Sequence, residues 1–265
     1  MKIIRFKDYR GITRLGTAAE GGRADEISQT GDGGWTLTER TVEIKHYLPP
    51  VQPAALFCIG LNYRQHAEET GMELPSYPIL FMKNPAAAAG HGQNIVLPES
   101  CRNKAQADFE AELAVVIGRE AKNVAASEAL SYVKGYTVGN DVSARWWQKH
   151  AGGGQWVRAK SFDTFCPLGP ALVTADEIQD PGNLAISCKV NGKTMQESNT
   201  SDMIFSVARL IEYLSEDTTL LPDTVILTGT PSGVGVARKP PVFLNPGDRI
   251  EISIEKIDTL ANTVA

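Results

Sequence analysis

Apolar runs of strand length, and very few of helix length, set the architecture open to this chain. They fall at 54–59, 112–117, 136–139, 184–190, 225–228 and 249–255. In the last of them Ile250, Ile252 and Ile254 share one face while Glu251, Ser253 and Glu255 share the other, the period-two pattern of a half-buried strand. Asn191-Gly192 is a tight-hairpin signal, because both residues tolerate the left-handed backbone that a two-residue turn requires. The clearest helix is expected over 202–215, with Met203, Val207, Leu210 and Leu214 at helical spacing behind a Ser201 cap. The pattern predicts a β-rich α+β fold.

Pro49, Pro50 and Pro53 lie between the first strands and the rest of the chain. Each removes an amide donor and fixes φ, so neither a helix nor a central strand continues through them. A small N-terminal subdomain of short strands, broken at Gly21-Gly22 and Gly31-Asp32-Gly33-Gly34, is therefore expected over residues 1–50, with the main domain over 51–265. At 265 residues the chain is long enough to bury roughly 70% of its unfolded surface in a core of its own. Gly152-Gly153-Gly154 reads as a flexible loop.

The formal net charge of -5, with no basic run, argues against nucleic acid as a partner. Cys58, Cys101, Cys166 and Cys188 are scattered, without paired metal-ligand spacing. The opening Met1-Lys2-Ile3-Ile4-Arg5-Phe6-Lys7-Asp8 puts charge where a signal peptide needs an apolar core, so a reducing cytoplasm is expected. No stretch of about 18 apolar residues occurs, so no membrane-spanning helix is expected.

Two acids interrupt this apolar pattern. Glu110 and Glu112 open the segment Asp108-Phe109-Glu110-Ala111-Glu112-Leu113-Ala114-Val115-Val116-Ile117-Gly118, and their spacing projects both carboxylates from one face of a strand. An exposed acidic pair is commonplace. Here, however, Ala114 and Val116 continue the carboxylate face and Leu113, Val115 and Ile117 cover the other, so the strand is expected to be buried on both sides. Buried paired carboxylates require a cation. Asp141, just after another apolar run, is a third acid placed to join them. Three carboxylates without histidine or thiolate favour a hard ion, Mg²⁺ or Mn²⁺, with Ca²⁺ also accommodated.

A base is predicted upstream. In Ile59-Gly60-Leu61-Asn62-Tyr63-Arg64-Gln65-His66-Ala67-Glu68-Glu69-Thr70-Gly71 a strand end turns into a short helix, with Asn62 as the expected cap, Gln65 answering it and Gly71 as the stop. His66 and Glu69 then stand at i, i+3, where a carboxylate orients an imidazole and raises its basicity. His46, His91 and His150 have no such local partner and read as structural.

Taken together, several motifs resemble the fumarylacetoacetate hydrolase family. They are Gly60-Leu61-Asn62-Tyr63-Arg64-x-His66, Glu110-x-Glu112-Leu113, Asp141-Val142-Ser143-Ala144-Arg145, the Lys160–Pro170 segment, and Thr228-Gly229-Thr230-Pro231-Ser232-Gly233-Val234-Gly235. The resemblance spans about 54–263 in order. It implies a catalytic domain rolled into a mixed β-sandwich, a divalent ion on Glu110, Glu112 and Asp141, and a homodimer. It also implies that His66 and Glu69 activate water, that Lys160 is the cation beside a developing oxyanion, that Arg145 and Gln148 are substrate-side hydrogen-bonding partners, and that Thr230 holds the substrate carboxylate. The chain departs from the pattern at Trp146, where an acid often follows the Ala-Arg pair, and at Lys256 and Asp258, where glycines are usual.

The expected substrate is accordingly a small α-keto acid, and the expected reaction is hydrolysis of a C–C bond in an acylpyruvate or related 2,4-diketo acid. Oxaloacetate decarboxylation or keto–enol and double-bond isomerisation on the same metal site is the alternative. Ureidoglycolate lyase chemistry and a non-catalytic binding role rank below these. Dinucleotide-binding, P-loop and nucleophile-elbow motifs are absent from the sequence.

Overall fold

The computed structural model describes residues 1–31, 34–101 and 106–265. The turn expected at Gly31-Asp32-Gly33-Gly34 falls partly outside them. A large mixed sheet runs in the order Trp35–Glu43, Arg23–Gln29, Thr13–Ala19, Lys2–Lys7, Cys166–Thr174, Val133–Asn140, Ala111–Ile117, Val225–Leu227, Leu56–Gly60 and Ile79–Lys83. The N-terminal strands join it through Lys2–Lys7, where Ile3 registers with Leu172. An antiparallel sheet of four strands, Lys193–Asn199, Ala185–Val190, Arg249–Ile254 and Asp258–Thr263, forms a second layer. The fold is the β-rich α+β arrangement that the sequence predicts.

Its centre is the Ala111–Ile117 strand, buried at every position. Leu113, Val115 and Ile117 pack into one cluster with Ile186, Ile250, Ile252 and Ile254 of the second sheet. Ala114 and Val116 belong to a different cluster, with Leu56, Cys58, Leu168 and Leu227. Each large aliphatic side chain so buried contributes about 1.5–3 kcal/mol. That two-sided burial holds the adjoining acids in a dry setting.

Among the described residues five short α-helices decorate the sheets: α1 (Arg64–Thr70), α2 (Ala126–Ala129), α3 (Arg145–His150), α4 (Val157–Lys160) and α5 (Val207–Ser215). Two sequence expectations shift here. The helix predicted over 202–215 starts at Val207, because the Ser206 side chain, not that of Ser201, accepts the Arg209 N–H at 3.3 Å. The preceding Thr200–Asp202 is a separate 3₁₀ turn capped by Asn199. Likewise Tyr63, not Asn62, occupies the cap position of α1, with no side-chain cap bond, while Gly71 ends the helix in the left-handed region as expected. The Asn191-Gly192 hairpin forms, joining Ala185–Val190 to Lys193–Asn199 with both turn residues at positive φ. No described helix is long and apolar enough to cross a membrane.

Candidate active site

Glu112 leaves the start of the central strand, Glu110 sits just before it, and Asp141 follows the end of its neighbour Val133–Asn140. The antiparallel register that pairs Ala111 with Asn140 brings the three together. Each offers an oxygen, and these lie within 4.8 Å of one another. All three residues are buried, with Asp141 fully so.

Around them stand three buried cations. Lys160, from the end of α4, donates to Glu110 Oε2 and Asp141 Oδ2, both at 2.7 Å. Arg145, opening α3, reaches Glu110 Oε1 through Nη2 at 2.6 Å and Asp108 Oδ2 through Nε at 2.8 Å. Lys83, from the sheet-edge strand, donates to Asp141 and, at 3.1 Å, to the Val142 carbonyl. Burial works to raise the Glu110 carboxyl, but Lys160 and Arg145 outweigh it and hold it at about 2. Glu112 goes the other way. Burial, with the charges of Asp141 and Glu110 beside it, pushes its carboxyl well above the usual range.

The imbalance is visible among the described buried residues: Asp108, Glu110, Glu112 and Asp141 stand against Lys83, Arg145 and Lys160. A buried site short of positive charge, built from carboxylate oxygens, fits a hard divalent cation. The carboxylate oxygens engaged by the lysines and the arginine keep lone pairs for it.

The His66–Glu69 pair faces the same space. His66 Nδ1 lies 3.0 Å from Glu69 Oε2 on α1. The other Glu69 oxygen accepts the Gly233 N–H at 2.9 Å, so α1 and the loop over 228–235 are tied together. That loop closes on the acids as well, with Gly229 N–H donating to Glu112 Oε2 at 2.7 Å. Gly229 has φ 100°, and a Cβ there would lie 2.7 Å from Asn62 Cβ, so glycine is required twice over.

A cavity of about 550 Å³ joins these parts, lined by His66, Glu69, Glu110, Arg145, Gln148, Lys149, Lys160 and Thr230, with Ile59, Phe81 and Trp156 among its apolar walls. Every site residue singled out in the sequence therefore lies in the cavity or in the acidic cluster beneath it. Arg145 and Gln148 are bonded to each other, Nη1 to Oε1 at 2.9 Å.

Sequence reasoning missed several side chains that build this site. Lys83 reads as one more lysine on an edge strand. Asp108 accepts from Arg145 and from the Gly235 and Val236 amides at 2.7 and 2.9 Å, fixing both the arginine and the loop. Asn62, expected as a cap, instead donates to the Phe205 and Thr228 carbonyls at 3.0 and 2.7 Å. Only the motif spacing around Asn62 and Asp108 hinted at them; Lys83 carried no local signal.

Residues 55–265 match the family described as Fumarylacetoacetate (FAA) hydrolase C-terminal. A mitochondrial oxaloacetate tautomerase, FAHD2A of Bos taurus, is 48% identical over 222 residues, covering 84% of this chain and 70% of the relative. Among solved structures, 2-hydroxyhepta-2,4-diene-1,7-dioate isomerase from Mycobacterium marinum superposes with a TM-score of 0.84 at 38% identity, covering 100% of this chain and 98% of the other. A 5-carboxymethyl-2-hydroxymuconate delta-isomerase from Mycobacterium smegmatis gives a TM-score of 0.84 at 37% identity, covering 100% and 99%.

Proposed function

Because the chain belongs to the fumarylacetoacetate hydrolase family, whose similar members are named as enzymes, we propose that it is a divalent-metal-dependent enzyme interconverting the keto and enol forms of a short 2-keto acid of the oxaloacetate type. The observation that carries this reading is the His66–Glu69 dyad on the wall of the cavity that reaches the buried Glu110, Glu112 and Asp141 cluster. The named activities of the similar proteins, a tautomerase and two isomerases, point to proton transfer at carbon.

Glu110, Glu112 and Asp141 would hold the ion, Mg²⁺ or Mn²⁺, which as a Lewis acid supplies charge stabilisation at the keto oxygen. The protein's own residues move the proton. Acceptance of a hydrogen bond by Glu69 fixes the proton on His66 Nδ1, leaving the Nε2 lone pair as the base. In the keto-to-enol direction Nε2 takes a proton from the carbon beside the keto group, the electron pair moves to the keto oxygen, and that oxygen gains a proton from water in the open cavity while Nε2–H gives its own up to water. In reverse, the enol oxygen loses its proton to water and Nε2–H delivers one to carbon. Thr230, at the cavity wall, holds the substrate carboxylate, while Lys160, Arg145 and Gln148 add positive charge and hydrogen-bond donors around the keto end.

Cleavage of an acylpyruvate is the second reading, favoured by the access of water to the dyad: the His66 and Glu69 side chains are 13% and 23% exposed. There Nε2 would take its proton from a water attacking the distal carbonyl. We further place the enzyme in the cytoplasm, since its four cysteines are unpaired and buried, and we expect a homodimer.

The test compares decay of enol-oxaloacetate absorbance with pyruvate release from acylpyruvates and oxaloacetate, for the native protein and His66→Ala. Metal-dependent ketonisation lost in the variant supports tautomerisation. Pyruvate release without ketonisation replaces it with cleavage. Neither activity in the native protein overturns both readings.

A further inference from the structure

We propose that Lys149 binds the distal carboxylate of a 2-keto dicarboxylate and so sets the substrate class of this site; this rests on the proposed function above. Lys149 lies on α3, four residues after Arg145 and one after Gln148. Residues at i, i+3 and i+4 share a helix face, and all three line the cavity. Arg145 and Gln148 face the acidic cluster, whereas Lys149 is exposed and stands at the mouth.

Its charge is uncommitted, unlike the other cationic groups of the lining. Arg145 is paired with Asp108 and Glu110, and Lys160 with Glu110 and Asp141. Among the described residues Lys149 is the cavity-lining lysine or arginine without a carboxylate partner. The deep end has no spare lysine or arginine among the described residues, since Lys160 and Arg145 are both held by buried acids. A second substrate carboxylate entering a cavity walled elsewhere by Ile59, Leu61, Phe81, Trp156 and Val234 needs another cation, and Lys149 supplies it. The cavity volume, about 550 Å³, also exceeds what a three-carbon keto acid fills.

The experiment measures kcat and KM for ketonisation of oxaloacetate and of its C4 monomethyl ester, in the native protein, Lys149→Met and Lys149→Arg. The ester keeps the carbon skeleton and removes the distal charge. In Lys149→Met the ratio of kcat/KM for diacid over ester should fall about tenfold, through KM, the range for a charge-assisted bond weakened by solvent. Lys149→Arg should restore most of the ratio, and added salt should lower it in the native protein. An unchanged ratio in Lys149→Met, or an equal loss for diacid and ester, overturns the proposal while leaving the tautomerase reading intact. No turnover of either compound by the native protein overturns that reading, and this proposal with it.

Discussion

The Gln196 side chain donates from Nε2 to Thr230 Oγ1 at 2.8 Å and accepts from the Ala111 N–H at 2.9 Å, so one buried amide joins the cavity-lining threonine to the backbone between Glu110 and Glu112. The same Nε2 reaches the Pro231 carbonyl at 2.8 Å. With its oxygen accepting from Gln196, the Thr230 hydroxyl is left to direct its own hydrogen into the cavity.

Replacing Gln196 with leucine keeps the volume but strands the Ala111 amide. The expected cost is about 1–3 kcal/mol in urea unfolding, because a buried donor loses its acceptor. KM should rise more than kcat falls, since Thr230 loses its orientation. An unchanged urea midpoint contradicts the bridging role.

His66→Gln removes the proposed base. A loss of about 10²- to 10⁴-fold in kcat is the usual size of general-base catalysis. Glu69→Gln retains an acceptor for Gly233 but not the charge that supports the imidazole, and should fall between native and His66→Gln. Steady-state rates at saturating metal decide the order.

Lys83 is fully enclosed, and its ammonium is bonded to Asp141 and the Val142 carbonyl. Lys83→Met leaves Asp141 with Lys160 alone. Breaking a buried pair from one side typically costs about 3–5 kcal/mol, so chelated protein should melt well below native. A melting temperature within a degree or two of native would show that Asp141 does not depend on Lys83.

Charge on Glu112 is unfavourable in the metal-free protein, because burial and the neighbouring acids raise its carboxyl well above the usual range. Glu112→Gln should therefore stabilise chelated protein at neutral pH. A raised acid is relieved by protonation, so that gain should shrink as pH falls and native Glu112 becomes neutral. Glu110 behaves oppositely. Its carboxyl, at about 2 against an ordinary 4.5, contributes stability present above 4.5 and lost as pH falls towards 2. Thermal melts across pH, with and without Mg²⁺, read both effects, and Mg²⁺ should stabilise Glu112→Gln less than native.

Much of this was legible from the sequence because it is local. The central strand announces itself by apolar residues on both faces with two glutamates at one end, and the hairpin by Asn191-Gly192. The His66–Glu69 contact follows from helical spacing alone. What stayed hidden depends on partners far along the chain. Asn62 looks like a cap until Thr228, 166 residues away, supplies its acceptor. Gln196 is an unremarked polar position in a strand until Ala111 and Thr230 arrive from two other elements. The start of α5 moved for a local reason: Ser201, the expected cap, is taken into the Thr200–Asp202 turn, and Ser206 caps the helix instead.

The proposed function requires that the Glu110, Glu112 and Asp141 cluster hold a divalent ion. Calorimetric titration of chelator-stripped protein with Mn²⁺, paired with enol-oxaloacetate ketonisation, tests it in native protein and Glu110→Ala. The expected result is one ion per chain in the native protein, activity restored as that site fills, and both lost in Glu110→Ala. Full activity in the stripped protein, or equal binding and turnover in Glu110→Ala, would contradict it.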